Sequence, residues 1–206
     1  MLLANNISFN RNNKKILDNI NLSLPPKKII HLTGNNGVGK TTLLKILSNI
    51  IQPNEGDIFW NGKNIKKTPY EFYNDLTFIM DTQTSNMNLS VYENIFFWQK
   101  LFSSTITNKE INSVMNLLSL NNYKNTLVKY LSFGEIKKLE LLRLIIEQKK
   151  LWILDEIYMG LDQHSIEIIN QTIINHTDLN GMVIFTSHTL PVIPNLEKFH
   201  LKNDLE

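Results

Sequence analysis

The stretch Gly34 to Thr42, GNNGVGKTT, spaces Gly34, Gly39, Lys40 and Thr41 as G-x-x-x-x-G-K-[ST], the pattern of a loop that holds phosphate. Glycine permits tight turns, so the backbone N–H groups from Gly34 through Asn35, Asn36, Gly37, Val38 and Gly39 can face one anion. A helix starting at Lys40 adds its positive end. Lys40 is expected to reach the β- and γ-phosphates of a nucleotide, Thr41 to ligate Mg²⁺ and Thr42 to meet the α-phosphate. Further on, LWILDE (Leu151 to Glu156) reads as an apolar strand ending in two acids. Asp155 could hold Mg²⁺ through water there, and Glu156 could polarise a water attacking the γ-phosphate. His188, in VIFTSHTL, follows another apolar strand and is expected at the same sheet edge, within reach of the γ-phosphate. His31, His164, His176 and His200 have no ligand spacing and read as structural.

A third stretch, YLSFGEIKKLELLRL (Tyr130 to Leu144), asks for a different explanation. Ser132 and Glu135 form the S-x-x-E capping box that starts a helix. Capping does not explain Gly134, which costs about 1 kcal/mol of helix propensity in the first turn. A glycine there is expected to open the helix mouth to a close anion.

The elements that must position these groups follow from hydrophobic period. Residues 2 to 9 and 16 to 24 read as an antiparallel pair about the turn NRNNKK. Ile29 to Thr33 is a short apolar strand entering the glycine loop, and the helix after it stops before Pro53. GDIFW, the Asn61-Gly62 turn and LTFIM restore strands. Ser90 to Phe102, Asn108 to Leu120 and Phe133 to Gln148 then favour helix, Phe96, Phe97 and Trp98 being unable to share one face. Leu151 to Leu154 and Met182 to Thr186 are buried-strand candidates on either side of a helix over 165 to 176. The expected organisation is one domain over 1–206, with an inserted helical subdomain at about 88–148.

Composition removes several classes of function. A net charge of +2, from 21 basic and 19 acidic residues, gives no field suited to nucleic acid, and direct nucleic-acid binding is not expected. The absence of cysteine excludes disulfides, thiolate zinc, thiol catalysis and covalent heme attachment. No window reaches the roughly 18 apolar residues that span a bilayer, so the chain is expected to be soluble unless a partner holds it at a membrane.

Taken in order, GNNGVGKTT, LSFGE, LWILDE, the GLD at Gly160 to Asp162, and His188 resemble the motif set of ABC-transporter nucleotide-binding domains. The resemblance implies an α/β fold, a P-loop NTPase ABC cassette with an N-terminal antiparallel β subdomain and an inserted α-helical subdomain. It implies ATP and Mg²⁺ as ligands, ATP hydrolysis, and a head-to-tail cassette dimer formed on ATP binding. Ser132 and Gly134 of one chain would face the γ-phosphate on the other, with Asp162 at the junction. Gln83 is the counterpart of that family's glutamine after the LTFIM strand, near the metal and the attacking water, although Asp81 occupies the nominal place. Phe133 and Glu135 depart from the usual LSGGQ, Ile157 replaces a usual proline, and Arg11 stands where an aromatic often stacks on adenine.

Softer features, namely Arg11, GDIFWNGK and LWILDE, resemble the ATP-binding subunits of cytochrome c maturation systems. That resemblance implies integral membrane transporter subunits as partners, a peripheral place at the cytoplasmic face of the inner membrane, and coupling to heme export or release of a heme-loaded chaperone. Another small-substrate exporter, a soluble ABC-type ATPase acting on nucleic acid, and a P-loop kinase remain alternatives at this level.

Overall fold

Asparagines make the first reversal. Asn12 and Asn13 adopt left-handed backbone, φ 48° and 61°, which asparagine tolerates better than most residues, and they join β1 (Leu2–Arg11) to β2 (Lys14–Leu24). The computed structural model describes residues 1–202. After β2 the chain crosses into β3 (Ile29–Thr33), runs through the glycine loop, and forms α1 (Lys40–Leu47). β4 (Glu55–Trp60) returns to pair antiparallel with β1, and β5 (Lys63–Asn64) completes the order β2-β1-β4-β5. The NG turn between β4 and β5 also uses left-handed backbone, φ 49° at Asn61 and 81° at Gly62.

A parallel sheet forms the second layer, from β3 with β6 (Leu76–Ile79), β7 (Leu151–Leu154), β8 (Met182–Phe185) and β9 (Leu196–His200) in the order β6-β7-β8-β3-β9. β7 is buried along its whole length, and its period of two divides its side chains between two cores. Leu151 and Ile153 join Leu32, Leu44 and the antiparallel sheet on one face; Trp152 and Leu154 join Val183, Phe185 and Ile169 on the other.

Between β6 and β7 lie α3 (Val91–Leu101), α4 (Asn108–Leu117), α5 (Phe133–Leu141) and α6 (Arg143–Ile146). Each of the first three begins with a complete capping box, Ser90 with Glu93, Thr107 with Glu110 and Ser132 with Glu135, worth about 1 kcal/mol per cap. These helices share their own apolar core, from Val91 and Ile95 to Leu139 and Ile146. On α3 the aromatic run divides as expected: Trp98 is 5% exposed, whereas Phe96 and Phe97 are 50% and 53% exposed. α7 (Gln163–Asp178) then leads back into β8.

Three local features depart from the sequence expectation. α2 (Pro69–Asp75) forms where none was foreseen; its signals, a proline at the helix start and Glu71 in the first turn, were present but short. β9 was missed because it pairs on the sheet edge with mostly exposed residues and no apolar run. The helix expected from Phe133 to Gln148 is interrupted at Leu142, the boundary between α5 and α6.

Candidate active site

Strand order brings the chemistry together. β3 and β7 both lie beside β8, so the glycine loop after β3, Asp155 and Glu156 after β7, and His188 after β8 leave the same C-terminal sheet edge. A cavity of about 380 Å³ opens there, walled by Lys40, Thr41, Thr42, Glu156, His188 and Arg11, together with Asn36, Gly37, Gly39 and Ile16. His188 Nε2 lies 3.5 Å from Glu156 Oε1. An ammonium, two hydroxyls, a run of backbone N–H groups and a carboxylate beside an imidazole can hold a polyphosphate and present a water to its end.

The loop is shaped by its glycines. Gly39 takes φ 109° immediately before α1, and a Cβ on it would lie 3.0 Å from Ile16 Cγ2, so a side chain would press on the wall of the cavity. Lys40 Nζ donates to the carbonyls of Gly34 (2.7 Å) and Asn35 (3.1 Å), which folds the lysine back over the loop. Val38 is buried and its N–H donates to Asn35 O at 3.2 Å, closing a turn; Gly34, Asn35 and Val38 form the frame of the loop and do not line the cavity.

Glu156 sits on a gripped peptide. Its backbone is left-handed, φ 47°, a conformation that costs a non-glycine residue energy and persists only when its surroundings hold it. Its N–H donates to Thr186 Oγ1 at 2.8 Å, and that hydroxyl donates in turn to Asp155 Oδ1 at 2.6 Å. Lys137 Nζ, from α5, donates to the Asp155 carbonyl at 3.3 Å. Asp155 is buried, and its Oδ2 has no hydrogen-bond partner. Burial lowers the Lys137 pKa, opposed by the nearby charges of Asp155, Glu140, Asp81 and Glu156.

Ser132, Gly134 and Asp162 lie away from this cavity but close to one another. Ser132 caps α5, accepting from the Glu135 N–H at 3.3 Å, and Glu135 returns a carboxylate oxygen to the Ser132 N–H at 2.7 Å. The Tyr123 hydroxyl beside the same carboxylate, with the cap and Lys138, holds Glu135 below the usual carboxylate range. Glu135 is therefore turned back onto its own helix start. The expectation that Gly134 leaves an open mouth is corrected in direction: a Cβ there would lie 2.4 Å from the Gly160 carbonyl oxygen, so the bare side of the glycine is covered by backbone. Asp162 caps α7 through the Ser165 N–H (2.8 Å) and pairs with Lys138 Nζ (2.6 Å), and these bonds lower its pKa strongly.

Gln83 is exposed and does not line the cavity; it borders a crevice with Asp81, Phe133 and Lys137. The next residues are anchored from α5. Glu140, buried, accepts from the Thr84 N–H (2.8 Å), the Ser85 N–H (2.6 Å) and both hydroxyls. Arg143 donates to Thr84 Oγ1 (2.9 Å) and to Glu147 (2.6 Å), and Glu147 accepts from Thr77 on β6 (2.6 Å). Sequence reading missed Lys137, Glu140 and Thr186, because each is defined by partners distant along the chain.

A family model described as ABC transporter matches residues 17–158. A cytochrome c biogenesis ATP-binding export protein CcmA from Vibrio vulnificus is 30% identical over 188 residues, covering 91% of this chain and 92% of that protein. The CcmA of Reclinomonas americana is 34% identical over 191 residues, covering 91% and 85%. A dimeric post-hydrolysis ATP-binding cassette bound to ADP and Pi has the same fold at TM-score 0.83 and 19% identity, over 98% of this chain and 94% of that one. An ABC transporter ATP-binding protein from Pyrococcus furiosus gives TM-score 0.82 at 23% identity, over 97% and 96%. The chain belongs to the ABC transporter family, as an ATP-binding subunit, and within that family to the CcmA type. Its fold is the ABC cassette, and its enzyme class is ATPase. Among the described residues no helix is long and apolar enough to cross a membrane.

Proposed function

We propose that this subunit hydrolyses ATP to drive a membrane transporter of cytochrome c maturation, in heme export or in release of a heme-loaded chaperone. The observation that carries the hydrolytic part is the shared cavity of Lys40, Thr41, Glu156 and His188; the CcmA relatives support the transport part. In this reading the loop N–H groups and Lys40 bind the phosphates, and Thr42 meets the α-phosphate. Glu156 accepts a hydrogen bond from water aimed at the γ-phosphorus. The new bond joins that water oxygen to phosphorus, the bond to the β,γ-bridging oxygen breaks, and ADP and phosphate leave. His188 steadies the γ-phosphate from beside Glu156, and Gln83 reaches the site when its loop moves inward.

The donors suit Mg²⁺. Thr41 offers a hydroxyl and Asp155 a buried carboxylate oxygen without a partner, both hard oxygen ligands. Among the described residues no group of three or more His, Asp and Glu is arranged to hold a metal by itself, which fits an ion that arrives with the nucleotide. Bound there, Mg²⁺ would neutralise charge developing on the β- and γ-phosphate oxygens.

Two copies are proposed to close head to tail over ATP. The Ser132 hydroxyl and the α5 N-terminus of one chain would meet the γ-phosphate on the other, with Asp162 at the seam. A groove of about 490 Å³ between Tyr73, Phe78, Phe97, Leu101 and Arg143 offers an apolar seat for a helix of an integral membrane subunit, which would hold the chain at the cytoplasmic face of the inner membrane. The deciding experiment is Glu156→Gln with saturating MgATP. Light scattering should report an ATP-bound dimer without turnover; a variant that stays monomeric would remove the dimer from the proposal. Detergent co-purification followed by identification of the membrane chains tests the transporter assignment.

A further inference from the structure

We infer that Lys137 is a positioning residue for Glu156, and that it ties the catalytic turn to the helix carrying Ser132 within the same chain. This rests on the reading of Glu156 as the residue that orients the attacking water.

The peptide joining Asp155 to Glu156 determines where the Glu156 side chain departs from β7. Both of its polar groups are held by buried side chains. Its carbonyl accepts from Lys137 Nζ at 3.3 Å, and its N–H donates to Thr186 Oγ1 at 2.8 Å. Thr186 directly follows β8 and is itself fixed by donating to Asp155 Oδ1 and by its N–H on the Leu154 carbonyl at 2.9 Å. The grip matters because Glu156 occupies left-handed backbone, φ 47°, which an unrestrained glutamate turn would leave.

Lys137 is an unusual choice for a merely structural contact. A buried ammonium is costly unless paired, and the charges around it are Asp155 and Glu156 of the catalytic turn, Asp81 of the loop that carries Gln83, and Glu140 of α5 itself. It lies on α5 within two turns of Ser132, and the N-terminal end of that helix is fastened to the segment after Glu156 by the Gly134–Gly160 contact and the Lys138–Asp162 pair. A displacement of α5 at Ser132 therefore reaches Glu156 through Lys137, with the Thr186 side of the peptide as the fixed wall. Occupation of the α5 mouth by another chain's phosphate would thereby bear on this chain's own water-orienting carboxylate.

The test is steady-state MgATP hydrolysis by the full chain carrying Lys137→Met, Lys137→Arg, Thr186→Val or Thr186→Ser, with Glu156→Gln as reference. A misplaced Glu156 should lower kcat at least about ten-fold in Lys137→Met and Thr186→Val with KM for ATP unchanged, because the phosphate loop is untouched. Thr186→Ser restores the hydroxyl and should recover most of the rate, and Lys137→Arg, which keeps a charged donor for the Asp155 carbonyl, should retain more of it than Lys137→Met. Wild-type kcat in Lys137→Met overturns the inference, as does a loss in that variant that lies in KM with kcat unchanged. If Lys137→Met fails to fold, the Lys137→Arg and Thr186 pair decides, a rate unchanged in Thr186→Val counting against the grip. Turnover retained by Glu156→Gln alone overturns the underlying reading of Glu156 and is distinguishable from both.

Discussion

Gly134 and Gly160 meet so closely that a Cβ on Gly134 would stand 2.4 Å from the Gly160 carbonyl oxygen. Alanine is the better helix former by about 1 kcal/mol, so Gly134→Ala would stabilise a helix whose first turn faced open solvent. Here overpacking, costing about 1–3 kcal/mol, outweighs that gain. Denaturant unfolding should show Gly134→Ala to be less stable than wild type; a more stable variant would refute the contact.

Lys40 makes its hydrogen bonds to two loop carbonyls, those of Gly34 and Asn35, which water can replace when the side chain is removed. Lys40→Ala should therefore fold normally yet lose about 2 kcal/mol of nucleotide affinity, roughly a thirty-fold rise in Kd, for want of a charged donor to the phosphates. Titration with a non-hydrolysable ATP analogue measures this. Equal affinity in variant and wild type contradicts the role given to Lys40.

His176 stacks on Trp152, ring centroids 3.6 Å apart, and burial pushes its pKa down to about 4. The folded chain keeps this ring neutral, whereas the unfolded chain protonates it near 6.5. Its contribution is thus complete above about pH 6.5 and is lost as pH falls toward 4, roughly 2–3 kcal/mol after allowing for the ring's partial exposure. His176→Phe keeps the stack and removes the proton. Its stability should fall less steeply than that of wild type between pH 6.5 and 4, and parallel slopes would assign the acid sensitivity elsewhere.

Glu140 holds the chain at Thr84 and Ser85 through buried hydrogen bonds and is faced by Arg143. Glu140→Ala strands those donors and the cation, at a cost of about 3 kcal/mol. The amide protons of Thr84 and Ser85 should then exchange with solvent at least ten times faster, since about 1.4 kcal/mol of lost local stability suffices for that. Unchanged protection at both amides would show that something other than Glu140 anchors this segment.

What was legible in the sequence was local. GNNGVGKTT declares its loop through glycine spacing and flanking pattern, LWILDE declares a buried strand with acids at its exit, and Ser132 with Glu135 declares a helix start. Each signal lies within a few residues, where backbone preference and periodicity act directly. The mixed α/β architecture followed from the alternation of such signals. The edge strand β9 did not, because pairing to β3 makes it a strand while its own side chains stay largely in solvent.

Sequence alone determined the phosphate loop, the acidic strand end, the capped helix and the absence of cysteine chemistry. Tertiary structure decided that β8 lies between β3 and β7, which brings Lys40, Glu156 and His188 to one cavity. It also decided the grip on Glu156, through partners 18 and 30 residues apart, and the covering of Gly134 by Gly160. The reason is physical: a buried hydrogen bond or a backbone contact is made by whichever groups the packed layers bring together, and residue type at one position does not name its partner at another.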